Sequence, residues 1–123
     1  MNKIIVEFIG HKDQRYDTVG DWYYGKDDPQ LLHIRISRMS NQQREFMVLL
    51  HELTELALCA KAGITVEQVD EYDLSHPDAG GDECDMADAP YLDQHSKAMT
   101  VERMLCHFFG ENWVDYEKEL DAL

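Results

Sequence analysis

Between Gln43 and Ala62 the chain carries Phe46, Leu49, Leu50, Leu53, Leu56, Ala57 and Leu58. On a helix of 3.6 residues per turn these cover most of the circumference, and a helix apolar nearly all round is a buried one. The rest of the chain must therefore supply layers that cover it. Ser40 with Gln43 three residues on fits a capping box, and Gly63 is a natural stop. Into this apolar cylinder the sequence inserts three titratable side chains, His51, Glu52 and Glu55, within an arc of about 100°. Buried carboxylates are costly unless paired, hydrogen-bonded or bound to a metal.

Around the helix, Lys3–Ile9 is a β-branched run that reads as a strand, Asp21–Tyr24 as a second, and Leu31–Ile36 as a third with Leu32, Ile34 and Ile36 on one face. Thr65 with Gln68 suggests a capping box for a short helix, Val66–Glu71. From Asp70 to Asp93 there are nine acidic residues and no Lys or Arg, broken by Pro77, Gly80, Gly81 and Pro90, which reads as a long surface loop. Tyr91–Phe109 is the second strong helix, stopped by Gly110, and Asn112 caps a last one through Leu120. Strand signals followed by helix signals predict an α+β fold. A short antiparallel N-terminal sheet packs on the buried helix, with C-terminal helices beside it, in one domain over residues 1–123.

Composition narrows the function classes. With 25 Asp and Glu against 11 Lys and Arg, the formal charge is −14, which opposes unspecific binding to nucleic acid or an anionic membrane. Three cysteines, Cys59, Cys84 and Cys106, have no CxxC spacing and suit neither a disulfide scaffold nor a Cys-rich zinc site. The early charges of Lys3 and Glu7 do not suit a signal peptide, and no apolar run approaches the ~20 residues of a membrane span. The expectation is a reduced, cytoplasmic protein.

The chemistry sits at His51-Glu52-Leu53-Thr54-Glu55. Residues 51 and 55 lie one turn apart on one face and can share a metal ion, with Glu52 beside them as a base. This is the logic of the HExxH zinc helix with Glu in place of the second His. The bland alternative is that the arc is the solvent face, with Arg44 above it and Cys59 below. A third ligand has to come from elsewhere. His95 on the second long helix completes a two-nitrogen, one-carboxylate set, and Glu102, two turns on, is a fourth ligand or an acceptor for a ligand His. Either residue on a wet helix face would have no such role. Asp73 and Asp70 are further candidates to orient the site, and His76, beside Asp73 and Asp78, is a weaker one. His11, His33 and His107 show no partner pattern. In zincins the strand just before such a helix lines the cleft and pairs with an extended substrate, and by that likeness Leu31–Ile36 is expected to do so.

The chain resembles a group of small phage and prophage proteins over most of its length. The resemblance rests on Arg15-Tyr16-Asp17-Thr18-Val19-Gly20-Asp21-Trp22, on His51-Glu52-Leu53-Thr54-Glu55, on Gly63-Ile64 with Val69-Asp70 and Tyr72-Asp73, and on Ala89-Pro90-Tyr91 with His95 and Glu102. It implies a zincin-like helix, and more broadly a likeness to minimal gluzincins, whose pattern is HExxH with a downstream carboxylate. Here Glu55 replaces the second His and a His follows downstream. The resemblance implies no established substrate; the donor set itself leads to the expectation of a zinc-dependent, peptidase-like hydrolase acting on a peptide or protein in the cytoplasm of a phage-infected or lysogenic bacterium. Two other readings stand beside it. One is a non-enzymatic acidic phage factor that binds a host protein, as a nucleic-acid mimic would. The other is a MazG-type nucleotide pyrophosphohydrolase, whose two carboxylate motifs would be Glu52-Leu53-Thr54-Glu55 and Glu67-Gln68-Val69-Asp70 on two long facing helices with magnesium.

Overall fold

The computed structural model describes residues 1–77 and 86–123. It is an α+β fold in which three strands, β1 (Lys3–Ile9), β2 (Gly20–Tyr24) and β3 (Leu31–Ser37), precede four helices. These are α1 (Gln42–Ala62), α2 (Val66–Ser75), α3 (Leu92–Phe109) and α4 (Trp113–Ala122).

The sheet is mixed, not antiparallel throughout. Its order is β1-β3-β2, with β2 antiparallel to β3 but β1 parallel to it. The reason is positional. β3 is the most buried strand, with Leu32, Ile34 and Ile36 fully buried, and it takes the centre. The segment between β1 and β2 carries the chain past β3 to the far edge, so β2 enters beyond β3 and only that pair forms a hairpin. Val6, Ile34 and Trp22 stand in register on the face toward α1. Tyr23 and His33 stack on the opposite face.

α1 lies across this sheet, and α3 packs along α1. Its cap is Asn41, whose side chain accepts from the Arg44 N–H, rather than Ser40. Ser40 instead donates from its N–H and hydroxyl to Glu119, which also receives Arg44, so the start of α1 is tied to the end of α4. Gly63 and Gly110 stop α1 and α3 at φ of 76° and 68°, left-handed conformations that favour glycine. The capping box of Thr65 and Gln68 opens α2 as expected. The helix then continues to Ser75, so Asp70 and Asp73 are helical residues and not part of a loop. Asp78 and Cys84 lie outside the described residues. Cys59 and Cys106 are buried free thiols, and burial near Glu55 and Glu52 pushes Cys59 up to about 12.

Among the described residues no helix is long and apolar enough to cross a membrane.

Candidate metal centre

His51 and Glu55 lie one turn apart on the face of α1 that meets α3, and His95 faces them from the first turn of α3. All three are buried. The arc predicted on α1 is thus turned inward against α3, and neither His95 nor Glu102 lies on a wet face.

The geometry converges on one oxygen. His51 Nε2 lies 3.2 Å and His95 Nδ1 3.0 Å from Glu55 Oε2. Ligand atoms ~2.0–2.1 Å from a tetrahedral zinc are about 3.3–3.4 Å apart. The nitrogen–oxygen spacings are therefore close to those a small tetrahedral ion imposes. One ligand atom from each of the three residues falls within 4.8 Å of the others, and the group can hold a metal ion.

Glu102 stands outside that group. Its Oε1 is 2.6 Å from His51 Nδ1, the ring nitrogen that points away from Glu55. Its Oε2 accepts from the fully buried Tyr116 hydroxyl at 2.5 Å. A carboxylate on the far nitrogen fixes the imidazole's orientation and tautomer and raises its basicity. Of the two roles open to Glu102, this geometry matches the acceptor.

Asp73 is not among the ligand atoms either. It accepts from the Tyr16 hydroxyl at 2.9 Å and from that of Tyr91. Tyr91 meets the His95 ring edge-on at 6.3 Å, so Asp73 reaches the centre through Tyr91. Asp70 shares Arg15 with Asp21, and the guanidinium bonds both carboxylates at 2.7–3.1 Å. This ties the segment before β2 to α2. Glu67 is exposed, whereas Asp70 and Asp73 border the same cleft as Glu52 and Glu55. His76 caps α2 and stacks on Tyr72, while His11 bonds Ser37 and Asp17.

Glu52, partly buried, leans over the start of β2. A Cβ built on Gly20 would lie 2.5 Å from Glu52 Oε1 and 2.6 Å from its Cγ. Glycine at position 20 is therefore what lets the glutamate lie against this strand. Gly20 falls within the Arg15–Trp22 stretch that carries the resemblance, but no spacing rule pairs residue 20 with residue 52. β2, not β3, borders the cleft, because β3 is hydrogen-bonded on both sides and has no edge to offer. The cleft beside the centre has a volume of about 910 Å³ and is lined by Gly20, Trp22, His51, Glu52, Asp73 and Tyr91 among others. That is the size range of ligand sites.

Electrostatics separate the carboxylates. Burial pushes Glu52 well above the ordinary carboxylate range, helped by the charge of Glu55. Burial acts on Glu55 in the same direction, but hydrogen bonds from His51 and His95 outweigh it and hold Glu55 down at about 2. His51 is disfavoured as a cation by burial, yet its bonds to Glu102 and Glu55 raise it well above 6.5.

A pH dependence follows. In the metal-free protein the stabilisation from His51 is fully present below 6.5 and is lost as pH rises through its raised value. That from Glu55 is present above 4.5 and is lost as pH falls toward 2. Thermal unfolding should show the contributions of His51 and Glu55 together at their fullest between pH 4.5 and 6.5. Metal affinity should move the other way and strengthen as pH rises through the His51 titration, because the ion must displace a proton. Affinity that stays flat from about pH 6 to about pH 9, above the usual His value of about 6.5, would remove His51 from the ligand set.

In comparison with known proteins, no family model matches this chain, and neither a curated protein nor a solved structure does.

Proposed function

We propose that the chain is a zinc-dependent hydrolase that cleaves an amide bond in a peptide or protein. The observation that carries this reading is the convergence of two imidazole nitrogens on one buried carboxylate oxygen, with a second carboxylate, Glu52, next to them on the cleft. Two nitrogens and one oxygen form a donor set that catalytic zinc uses while keeping a position open. The resemblance to phage proteins with a zincin-like helix points the same way.

His51, Glu55 and His95 would hold the ion, which supplies a Lewis acid and brings the pKa of water to near 7 in well-known sites. Glu102, backed by Tyr116, keeps the His51 ring turned toward Glu55. Glu52 takes a proton from the attacking water as its oxygen bonds to the carbonyl carbon. It returns the proton to the nitrogen as the C–N bond breaks. The open edge of β2 runs along the cleft and can pair with an extended substrate backbone.

The −14 charge favours one other reading, an acidic factor that binds a basic protein surface without turnover. Elemental analysis of protein purified without a His tag separates the two. One zinc per chain is expected, with cleavage of members of a peptide library. Protein without stoichiometric metal that binds a host protein tightly would replace the hydrolase with the factor.

A further inference from the structure

β1 forms one edge of the sheet, opposite the edge that borders the cleft. Its backbone bonds to β3 are marked at the two ends, where Lys3 N–H reaches Gln30 O and Ile9 O accepts from Arg38 N–H. In a regular parallel ladder alternate residues serve the neighbouring strand. Lys3, Ile5, Glu7 and Ile9 therefore face β3, and Ile4, Val6 and Phe8 turn their N–H and C=O groups to the open edge. Such an edge is a template for another strand.

The side chains there are also incompletely covered. Ile4 and Val6 share the face of the fully buried Ile34, yet they are 43% and 37% exposed. Phe46 of α1, edge-to-face with Phe8, is 37% exposed beside them. The strand's two charges, Lys3 and Glu7, lie on the other face, symmetrically about Ile5.

We propose that β1 pairs antiparallel with β1 of a second copy of this chain about a two-fold axis at Ile5, joining two three-stranded sheets into one. The charge pattern selects the occupant and the register. With Ile5 opposite Ile5, Lys3 of each copy faces Glu7 of the other, and Ile4 faces Val6 in hydrogen-bonded pairs. Moving the axis to Val6 would set Lys3 against Ile9 and lose both ion pairs. The intrachain contact of Glu7 with Arg35, at 3.5 Å, is long enough for Glu7 to take a second cation. The net charge of the chain opposes association, but Lys3 and Glu7 cancel within β1 itself, and charges beyond about 8 Å are largely screened at physiological salt. Both clefts stay open in the pair, because they lie at the far edges of the joined sheet.

Sedimentation equilibrium of the full chain at physiological salt should show a dimer. Val6→Pro should yield a folded monomer, since it removes an N–H that faces outward and not a bond to β3. Lys3→Glu alone and Glu7→Lys alone should each raise the dimer Kd on the order of tenfold by turning two attractive pairs repulsive. An equimolar mixture of those two variants should recover association as a heterodimer. One copy then carries an acid at both positions and the other a lysine at both, so every cross-strand charge pair is attractive again. If Val6→Pro does not fold, the mixing experiment decides alone. A chain that stays monomeric from micromolar to submillimolar concentration overturns the proposal. So does a dimer that neither the charge reversals nor the mixture alter.

Discussion

Replacing His51 with alanine should abolish stoichiometric metal binding and weaken the fold at the same time. The imidazole joins two buried carboxylates, Glu55 on one nitrogen and Glu102 on the other. Removing it takes away a ligand and leaves both acids short of a partner. Breaking a buried charged pair from one side costs on the order of 3–5 kcal/mol, and here His95 and Tyr116 offset part of that by remaining on Glu55 and Glu102. His95→Ala should also lose the metal, while Glu55 keeps the His51 ring as a partner. Glu55→Gln separates the two effects. Its amide oxygen still accepts from both rings, so the fold should survive while metal affinity falls. Metal content after exhaustive dialysis, read together with thermal unfolding, checks all three. Full retention of zinc in both His51→Ala and His95→Ala would sink the ligand assignment.

The second large effect is on turnover. Glu52→Gln keeps the size and hydrogen-bonding reach of the side chain and removes the base, so it should keep zinc and lose hydrolysis by a factor on the order of 10² or more. A second readout needs no substrate. Ionised Glu52 is disfavoured by burial and by the charges of Glu55, Asp21 and Asp73, which raise its pKa in the fold above the ordinary 4.5. Its ionisation therefore costs the metal-free fold stability as pH rises above that value. Glutamine removes the cost, and metal-free Glu52→Gln should melt higher than the parent at neutral pH. A variant that is fully active on a cleaved peptide ends the role of Glu52 as base. A variant that melts no higher shows that Glu52 is not the strained carboxylate described here.

How much of this was legible in the sequence depended on distance along the chain. α1 was plain, because its apolar period, its i,i+4 pair and its terminal glycine are all local. So were the capping box of Thr65 and Gln68 and the role of Asn112. His95 and Glu102 were legible as a pair two turns apart, and it took the packing of α3 on α1 to turn both inward. The parallel pairing of β1 with β3 was not legible, because it depends on where the segment before β2 crosses, and no local pattern records that. The full length of α2 was hidden by the acidity of Asp70–Ser75, whose charges face Arg15 and two tyrosines instead of water alone. The seat of Glu52 on Gly20 joins positions that sequence spacing cannot connect.

Cys59 lies one turn beyond Glu55 on α1, wholly enclosed, with its thiol held at about 12. A thiol so placed is almost never a thiolate at neutral pH and does not meet reagents in the native state. Alkylation at this position must wait for α1 and its surroundings to part. The cysteine is thus a clock set one helical turn from Glu55: its labelling rate, followed by mass at that one peptide, counts the excursions in which this part of α1 comes apart from its surroundings. Loading the site should slow that clock in proportion to how tightly the ion holds α1 and α3 together.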